Sequence, residues 1–204
     1  MTRPLLVASN DNSPARAGRK ISAAYLRARV SYDPDSGEFR YRRHDGACDA
    51  WNANCAGQIA TTMDEDGYLV IVVDRTALAA HRAAWAIMTG KWPHLLIDHK
   101  DRVKTNNRWE NLREATPSQN AANRTIRNDN TSGFKGVSYK KQTGRWVARA
   151  HINGKAIHIG YFDSAEEAAH AYLAKSTELH GEFATDGKAH AALLMQPNPP
   201  QKYN

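Results

Sequence analysis

The sequence predicts an α+β protein made of two modules, and three observations lead to this prediction. Its 204 residues are enough for two small domains. Hairpin and helix patterns alternate in the first part, whereas three β-rich runs and one Ala-rich helix follow residue 131. The stretch between them, "TIRNDNTSG", consists of residues that favour loops. We therefore expect domains at 19–124 and 131–186, joined by a linker at 125–130.

The first module is expected to begin with a helix and a hairpin. The run "ISAAYLRARV" from Ile21 favours a short helix, and the residues from Asp33 to Gly37 are typical of a turn. Phe39 and Tyr41 then alternate on one face of a strand. This pattern predicts an N-terminal hairpin.

Further strands and helices follow in the same module. "GYLVIVVD" predicts a strand that leads directly into a helix in "ALAAHRAAWAIMTG", which ends before Gly90. "HLLIDHKD" predicts another short strand. Thr116, Pro117 and Gln119 form a helix-capping pattern, so a helix should begin there with Asn120 in its first turn.

The sequence of the second module predicts a three-stranded antiparallel sheet packed on one helix. The strands are "FKGVSYKK", "RWVARAHI" and "KAIHIGYF", and the "NG" between the last two is a strong hairpin signal. Ser164 caps an Ala-rich helix that Gly181 closes. In the middle strand Arg145, Val147, Arg149 and His151 share one face, and the apolar face needs the helix as cover.

Charge indicates a polyanionic partner. The chain carries a formal charge of +7, and residues 124–160 alone contain eight basic residues against one acidic residue. A local excess of this kind favours nucleic acid, although a merely solvated basic sheet remains an alternative. Cys48 and Cys55 have no second pair of cysteines beside them, so we expect free thiols.

The two ends of the chain are expected to lie outside the folded modules. Residues 1–18 are polar and should be disordered, and the Pro/Asn-rich residues 187–204 should form a flexible tail. The apolar patch near the start is too short for a secretory signal, and no apolar run approaches the length of a membrane span. We expect a soluble, cytoplasmic protein with no membrane partner.

The pair Asp98-His99 at the end of a predicted strand suggests phosphodiester chemistry. Such a bond is cleaved when a base deprotonates water and a cation gathers the charge on phosphorus. Asp98 and Asn120 offer oxygen ligands of the kind that magnesium prefers. His99 is a candidate base, although an Asp-His pair alone is more often an ordinary hydrogen-bonded pair.

The stretch "AHRAAWAIMTGKWPHLLIDHKDRVKTNNRWENLREATPSQNAAN" resembles the HNH homing endonucleases of phage and prophage type, and the likeness extends over residues 21–124. It implies a ββα-metal core, also called a His-Me finger, with N-terminal hairpins. By this resemblance His99 is the general base, Asp98 and Asn120 are metal ligands, and Asn111 holds the loop and orients the histidine. Asn120 stands where many HNH proteins carry a second histidine, so the match is to the HNN branch.

The resemblance also covers residues outside this set, each with a structural or phosphate-contacting role. They are His81, Arg82 and Arg113. Asn106 and Asn107 are interpreted as turn formers. Trp109 replaces a smaller aliphatic residue, which we interpret as a tolerated packing change.

Residues 131–183 resemble the Apetala-two/ethylene-response-factor DNA-binding domain, through "GV", "W.A", "G.F.S.EEAA.AY" and "G..A". Sheet positions that contact DNA in that family match Lys135, Ser138, Lys140, Arg149, His151 and His158. Arg145 and Lys155 add positive charge to the expected surface. Arg149 and His158 differ in type from the plant proteins, so the plant target sequence does not carry over.

Together these features predict a metal-dependent DNA endonuclease of homing type with a sheet module that binds the site. We expect magnesium as cofactor, with manganese as an alternative, and double-stranded DNA as partner. No small-molecule substrate is expected, and the protein should be a monomer in a bacterial or phage-infected cell. Two alternatives stay open: a non-catalytic DNA-binding protein, and an RNA-directed or structure-specific nuclease.

Overall fold

The structure is a computed structural model that describes residues 21–188. It mixes helices and strands, and the chain divides into two compact units, Met1–Pro117 and Ser118–Asn204. The segment expected to be disordered, 1–18, and most of the expected tail, 187–204, lie outside the described residues.

The first unit opens with helix α1, Ala23–Arg29, followed by the predicted hairpin of strands β1, Val30–Tyr32, and β2, Phe39–Tyr41. The Ser22 hydroxyl accepts a hydrogen bond from the Tyr25 N–H and so caps the helix. The two strands pair antiparallel in a register that places Tyr32 opposite Phe39. The helix and hairpin predicted at this end are confirmed.

A three-stranded antiparallel sheet follows, in the order β3-β4-β5. A short helix precedes it. The elements are α2, Asp49–Cys55; β3, Thr61–Met63; β4, Leu69–Val73; and β5, Thr76–Ala79.

Strand β5 corrects the prediction that β4 leads directly into a helix. Asp74 and Arg75 adopt φ values of 47° and 67°, which makes the two-residue turn that folds β5 back onto β4. Helix α3 therefore begins only at Ala80 and runs as Ala80–Thr89. Gly90 ends it with φ 79°, as the sequence predicted.

The core of this unit lies between α1, α3 and the sheets. Its largest fully buried side chains include Phe39, Leu26 and Ile71. Trp85 and Trp92 pack against its edge, and the Trp92 indole N–H donates to the Ile21 carbonyl at 2.6 Å. Both indoles are therefore part of the packing of this unit.

Two antiparallel strands close the first unit. Strand β6, Leu96–His99, pairs with β7, Leu112–Ala115, and a short 3-10 helix, Trp109–Asn111, precedes β7. The register sets Asp98 opposite Arg113 and His99 opposite Leu112. The intervening residues 100–108, called here the histidine loop, start directly after His99.

The second unit contains the expected sheet and helix. Its elements are α4, Pro117–Asn123, which starts at the boundary between the units; β8, Val137–Lys140; β9, Arg145–Ile152; β10, Lys155–Phe162; and α5, Ala165–His180. The strand order is β10-β9-β8, all antiparallel. Between β9 and β10, Asn153 and Gly154 have φ values of 47° and 78°, which confirms the predicted hairpin turn.

Helix α5 covers the apolar face of this sheet. Ala148 and Ala150 of β9 are fully buried, and Ala168 and Tyr172 of α5 pack on them. Alanines on both sides permit a close approach of helix and sheet. No helix in the described part of the chain has the length and apolar character needed to cross a membrane.

Candidate functional site

The end of β6 brings two titratable groups into the interior. Asp98 and His99 are both buried, and the Arg113 side chain across the ladder is buried as well. The Arg113 Nε donates to Asp98 Oδ2 at 3.0 Å. Arg113, predicted as structural or phosphate-contacting, therefore forms a buried ion pair within the sheet.

The His99 imidazole contacts an amide. Its Nε2 lies 3.0 Å from the Oδ1 of Asn107, a side chain of the histidine loop that is 1% exposed. Burial lowers the pKa of His99 below its ordinary range, while the Asn107 contact and the charges of Asp101 and Asp98 oppose that shift. His99 is therefore neutral near pH 7 and able to accept a proton.

Asn111 holds the histidine loop in shape. Its Nδ2 donates to Asp101 Oδ1 at 2.9 Å and to the Asn106 carbonyl at 2.8 Å, and its Oδ1 accepts from the Asp101 N–H at 3.1 Å. The amide aligned with His99 belongs to Asn107, so the interpretation of Asn107 as only a turn former is wrong. Asn106 does shape the loop, because its Nδ2 donates to Asp101 Oδ2 at 2.6 Å.

Aromatic rings surround the imidazole of His99. The ring of His81 meets it edge to face, with centroids 5.2 Å apart, and Tyr68 lies beside both rings. Burial, with smaller contributions from the charges of His99 and Arg82, lowers the pKa of His81 to about 3. Among the described residues the Nδ1 of His81 has no hydrogen-bond partner.

We expect His81 to make the protein sensitive to acid. An unfolded histidine binds its proton near pH 6.5, whereas buried His81 does so only near pH 3. The contribution of His81 to the free energy of unfolding should therefore be constant above pH 6.5 and fall by up to about 1.4 kcal/mol per pH unit as the pH drops towards 3. His81→Phe should flatten this dependence, measured by denaturant unfolding at several pH values.

The control for that measurement is His94→Gln, which replaces an exposed histidine of the same unit. It should leave the acid dependence as it is in the parent protein. Equal slopes in the parent and in His81→Phe would contradict the expectation. Some acid dependence should remain in His81→Phe, since burial also lowers the pKa of His99.

Arg82 is anchored to the backbone ahead of β6. Its guanidinium donates to the Leu95 carbonyl at 3.2 Å and to the Pro93 carbonyl at 3.1 Å. These contacts fix the chain that enters β6.

The side chains at the end of β6 are chemically compatible with a hard divalent cation. One oxygen of Asp98 accepts from Arg113, and carboxylate oxygens are ligands that hard cations prefer. In the described residues no group of three or more His, Cys, Asp or Glu side chains could hold a metal. A donor set of one carboxylate and an amide suits magnesium, which keeps several waters. Asn120 lies on α4, so its pairing with Asp98 remains a prediction from the sequence.

A polar row lies on the face of the second sheet that points away from α5. Lys140 Nζ donates to the Tyr161 hydroxyl at 3.0 Å, and the rings of Tyr161 and His158 are 4.9 Å apart. Arg149 is exposed opposite His158 in the ladder. The hydrogen bond from Lys140, the charge of Lys140 and that of Arg149 lower the pKa of the Tyr161 hydroxyl. The row is therefore cationic.

The remaining predicted contact residues fall into two groups. Four are exposed on the sheet or at its edges, namely Ser138, Arg145, His151 and Lys155. Arg145 also forms an exposed ion pair with Asp163 at 3.1 Å. Lys135 differs, because its ammonium donates to the carbonyls of Ala122 and Arg124 at the end of α4.

Sequence reasoning missed Asn107 and Tyr161. Asn107 follows another asparagine in a polar loop, and only the fold decides which of the two side chains turns inward. Tyr161 is two residues from Ile159, which packs on the core of this module, so strict alternation would place it on the apolar face. A register shift between His158 and Gly160 instead pairs Tyr161 with Val147, on the face predicted to carry charge. Val147 itself is buried beneath this row although it is on the same strand face as Arg145 and Arg149.

Two family models match the chain. Residues 78–122 match the HNH endonuclease model, and residues 132–182 match the AP2 domain model. The first match contains β6, β7 and the histidine loop, and the second contains the three-stranded sheet and α5. No solved structure matches the chain significantly.

Curated relatives match the same two parts. Protein 3.8 of Escherichia phage T7 is 35% identical over 105 residues, which is 51% of this chain and 86% of the relative. The uncharacterized HNH endonuclease L560 of Acanthamoeba polyphaga mimivirus is 35% identical over 128 residues, or 62% of this chain and 65% of that protein. The AP2-like ethylene-responsive transcription factor TOE2 of Arabidopsis thaliana is 35% identical over 51 residues, 25% of this chain and 10% of the relative.

Proposed function

We propose that this chain, whose residues 78–122 match the HNH endonuclease model and whose residues 132–182 match the AP2 domain model, is a metal-dependent DNA endonuclease of homing type. Its nuclease domain would span 19–124 and its DNA-binding domain 131–186. The order along the chain of strand β6, strand β7 and helix α4 supports a ββα-metal core in the first of these domains.

One observation carries the nuclease proposal. A buried, neutral imidazole follows a buried carboxylate at the end of β6, and the imidazole is held by a side-chain amide. Burial that lowers the pKa of His99 keeps it unprotonated near pH 7, which is the state that a general base needs.

In the proposed reaction His99 takes a proton from a water molecule whose oxygen attacks phosphorus. The bond from phosphorus to the 3′ oxygen breaks, and that oxygen leaves with the electron pair. Asp98 and Asn120 would supply oxygen ligands to a divalent cation, magnesium or manganese. When bound, the cation would stabilise negative charge on the phosphate and on the departing oxygen. The Arg113 guanidinium, 3.0 Å from Asp98 Oδ2, would hold the Asp98 carboxylate in place.

The sheet module would hold the DNA. A β-sheet can enter the major groove and read base edges with alternating side chains. The face of β8, β9 and β10 that points away from α5 carries cationic and hydrogen-bonding groups, including Lys140, Arg149 and His158. Lys135, whose ammonium is engaged with α4 carbonyls, would support this module from within.

The experiment is a plasmid-cleavage assay with matched variants. The full chain with magnesium should convert supercoiled DNA to nicked or linear product, and EDTA should stop the reaction. His99→Ala should lower the cleavage rate by at least about 10²-fold, because general-base catalysis contributes this much. His94→Ala, an exposed histidine of the same unit, should cleave like the parent.

Each other outcome overturns the proposal in a defined way. DNA binding without cleavage at any divalent metal would support a DNA-binding protein without nuclease activity. Cleavage of RNA or of branched DNA in preference to duplex DNA would change the substrate class. Cleavage that persists in His99→Ala would remove the proposed base.

A further inference from the structure

The β1–β2 hairpin contacts the backbone of the histidine loop at and beside Asn107. The Tyr32 hydroxyl donates to the Asn107 carbonyl at 2.7 Å, and the Trp109 N–H donates to the Pro34 carbonyl at 2.9 Å. Gly37 presses against the same backbone, because a Cβ built there would lie 2.7 Å from the Asn107 carbon and from the Arg108 nitrogen. Three separate contacts therefore fix the backbone from Asn107 to Trp109.

The side chain of Asn107 is held with one group unsatisfied. Its Oδ1 faces His99 Nε2, while its buried Nδ2 has no hydrogen-bond partner among the described residues. Leaving a buried donor unsatisfied destabilises the folded protein. Stability alone does not account for such an amide, and buried unsatisfied groups of this kind are found at functional sites.

The contact with Asn107 specifies which ring nitrogen of His99 carries the proton. An amide oxygen only accepts hydrogen bonds, so the Nε2 opposite it must be the N–H donor. In a neutral imidazole the other nitrogen, Nδ1, then holds the lone pair. Asn111 does not compete for this role, since its amide bonds with Asp101 and Asn106.

We propose that Asn107, clamped by the β1–β2 hairpin, is the positioning residue that fixes the His99 ring with Nε2 protonated and thereby makes Nδ1 the proton acceptor. The inference rests on the proposed function, because it assigns the atom of His99 that takes the proton from water. It also makes the hairpin part of the apparatus that sets the geometry of the reaction.

Two variants of nearly equal size separate the roles of Asn107. Asn107→Leu keeps the volume and removes the acceptor, whereas Asn107→Asp keeps an oxygen that can accept from Nε2–H. Asn106→Ala is the matched control, because Asn106 is the neighbouring amide and contacts Asp101 instead of the ring. Thermal unfolding of the full chain checks that each variant is folded.

The first readout is a proton–nitrogen correlation spectrum of the histidine rings, with His99 assigned through a His99→Gln variant. The parent should show a protonated, hydrogen-bonded Nε2 and an unprotonated Nδ1. Asn107→Leu should lose the slowly exchanging Nε2–H signal, Asn107→Asp should retain it, and Asn106→Ala should retain it. An unprotonated Nε2 in the parent, or an unchanged signal in folded Asn107→Leu, would overturn the proposal.

The second readout is the kinetics of DNA cleavage. Asn107→Leu should lower kcat by about 10²-fold with little change in KM, because misplacing a catalytic group by about 1 Å costs this much. Asn107→Asp should recover most of the loss. Equal kcat in the parent and in Asn107→Leu would contradict the positioning role. If no variant cleaves any DNA, the proposed function fails, while the spectrum still decides the ring assignment.

Discussion

Gly136→Ala is expected to unfold the sheet module. Gly136 has φ +71°, and a Cβ at this position would lie 2.2 Å from the Tyr172 ring and 2.8 Å from the Arg149 carbonyl oxygen. Neither neighbour can move away, since Tyr172 packs in the core of the module and the oxygen is backbone. The positive φ adds about 1–2 kcal/mol of strain. We expect a total loss above about 4 kcal/mol, which a small domain does not tolerate.

Gly133→Ala is the control for this measurement. Gly133 has nearly the same backbone angle, φ +74°, but nothing lies within 4 Å of its Cβ position. It should therefore show the conformational strain without the overlap. Denaturant unfolding and DNA binding of the full chain would be compared in the two variants. Similar stability and similar DNA binding in both would show that the overlap with Tyr172 is not decisive.

Breaking the buried ion pair is expected to have the second large effect. Arg113→Met removes the cation that lies 3.0 Å from the buried Asp98 carboxylate. Removing one partner of a buried pair costs about 3–5 kcal/mol, because the other charge stays in the interior. The free energy of unfolding, measured by denaturant titration, should fall by this amount.

A double variant tests the cause. Asp98→Asn combined with Arg113→Met removes the buried charge as well, so it should be more stable than Arg113→Met alone. Arg40→Met is the control, since it breaks an exposed pair with Glu38 and should cost less than about 1 kcal/mol. If the double variant is less stable than Arg113→Met, an uncompensated charge on Asp98 is not the cause.

The second module could be predicted nearly completely because its signals are local. The Asn153-Gly154 turn fixes the pairing of β9 with β10, and Ser164 and Gly181 set the two ends of α5. Each of these signals acts within a few residues of the element that it defines. Tertiary contacts did not have to override them.

Strand β5 in the first module was missed because its own residues do not favour a strand. Thr76–Ala79 contains two alanines and a leucine, which favour a helix when considered alone. The turn before it uses Asp74 and Arg75 in left-handed conformations without any glycine. Pairing with β4 therefore overrides the local preference.

The candidate site was predictable only in part for a similar reason. Asp98 and His99 are neighbours in the sequence, so their common position at the end of a strand could be predicted. Asn107 points to His99 because the loop is held by Tyr32 and Pro34, which lie about seventy positions earlier in the chain. Spacing within the loop carries no information about that contact.

The contacts between the β1–β2 hairpin and the histidine loop limit how short a fragment can be if it is to keep the arrangement of His99 and Asn107. The segment that matches the HNH endonuclease model covers 78–122, yet Tyr32, Pro34 and Gly37 lie well upstream of it. A peptide trimmed to the matching segment would keep His99 and Asn107 but lose the support that aligns them. The smallest piece able to retain the geometry must therefore include the hairpin.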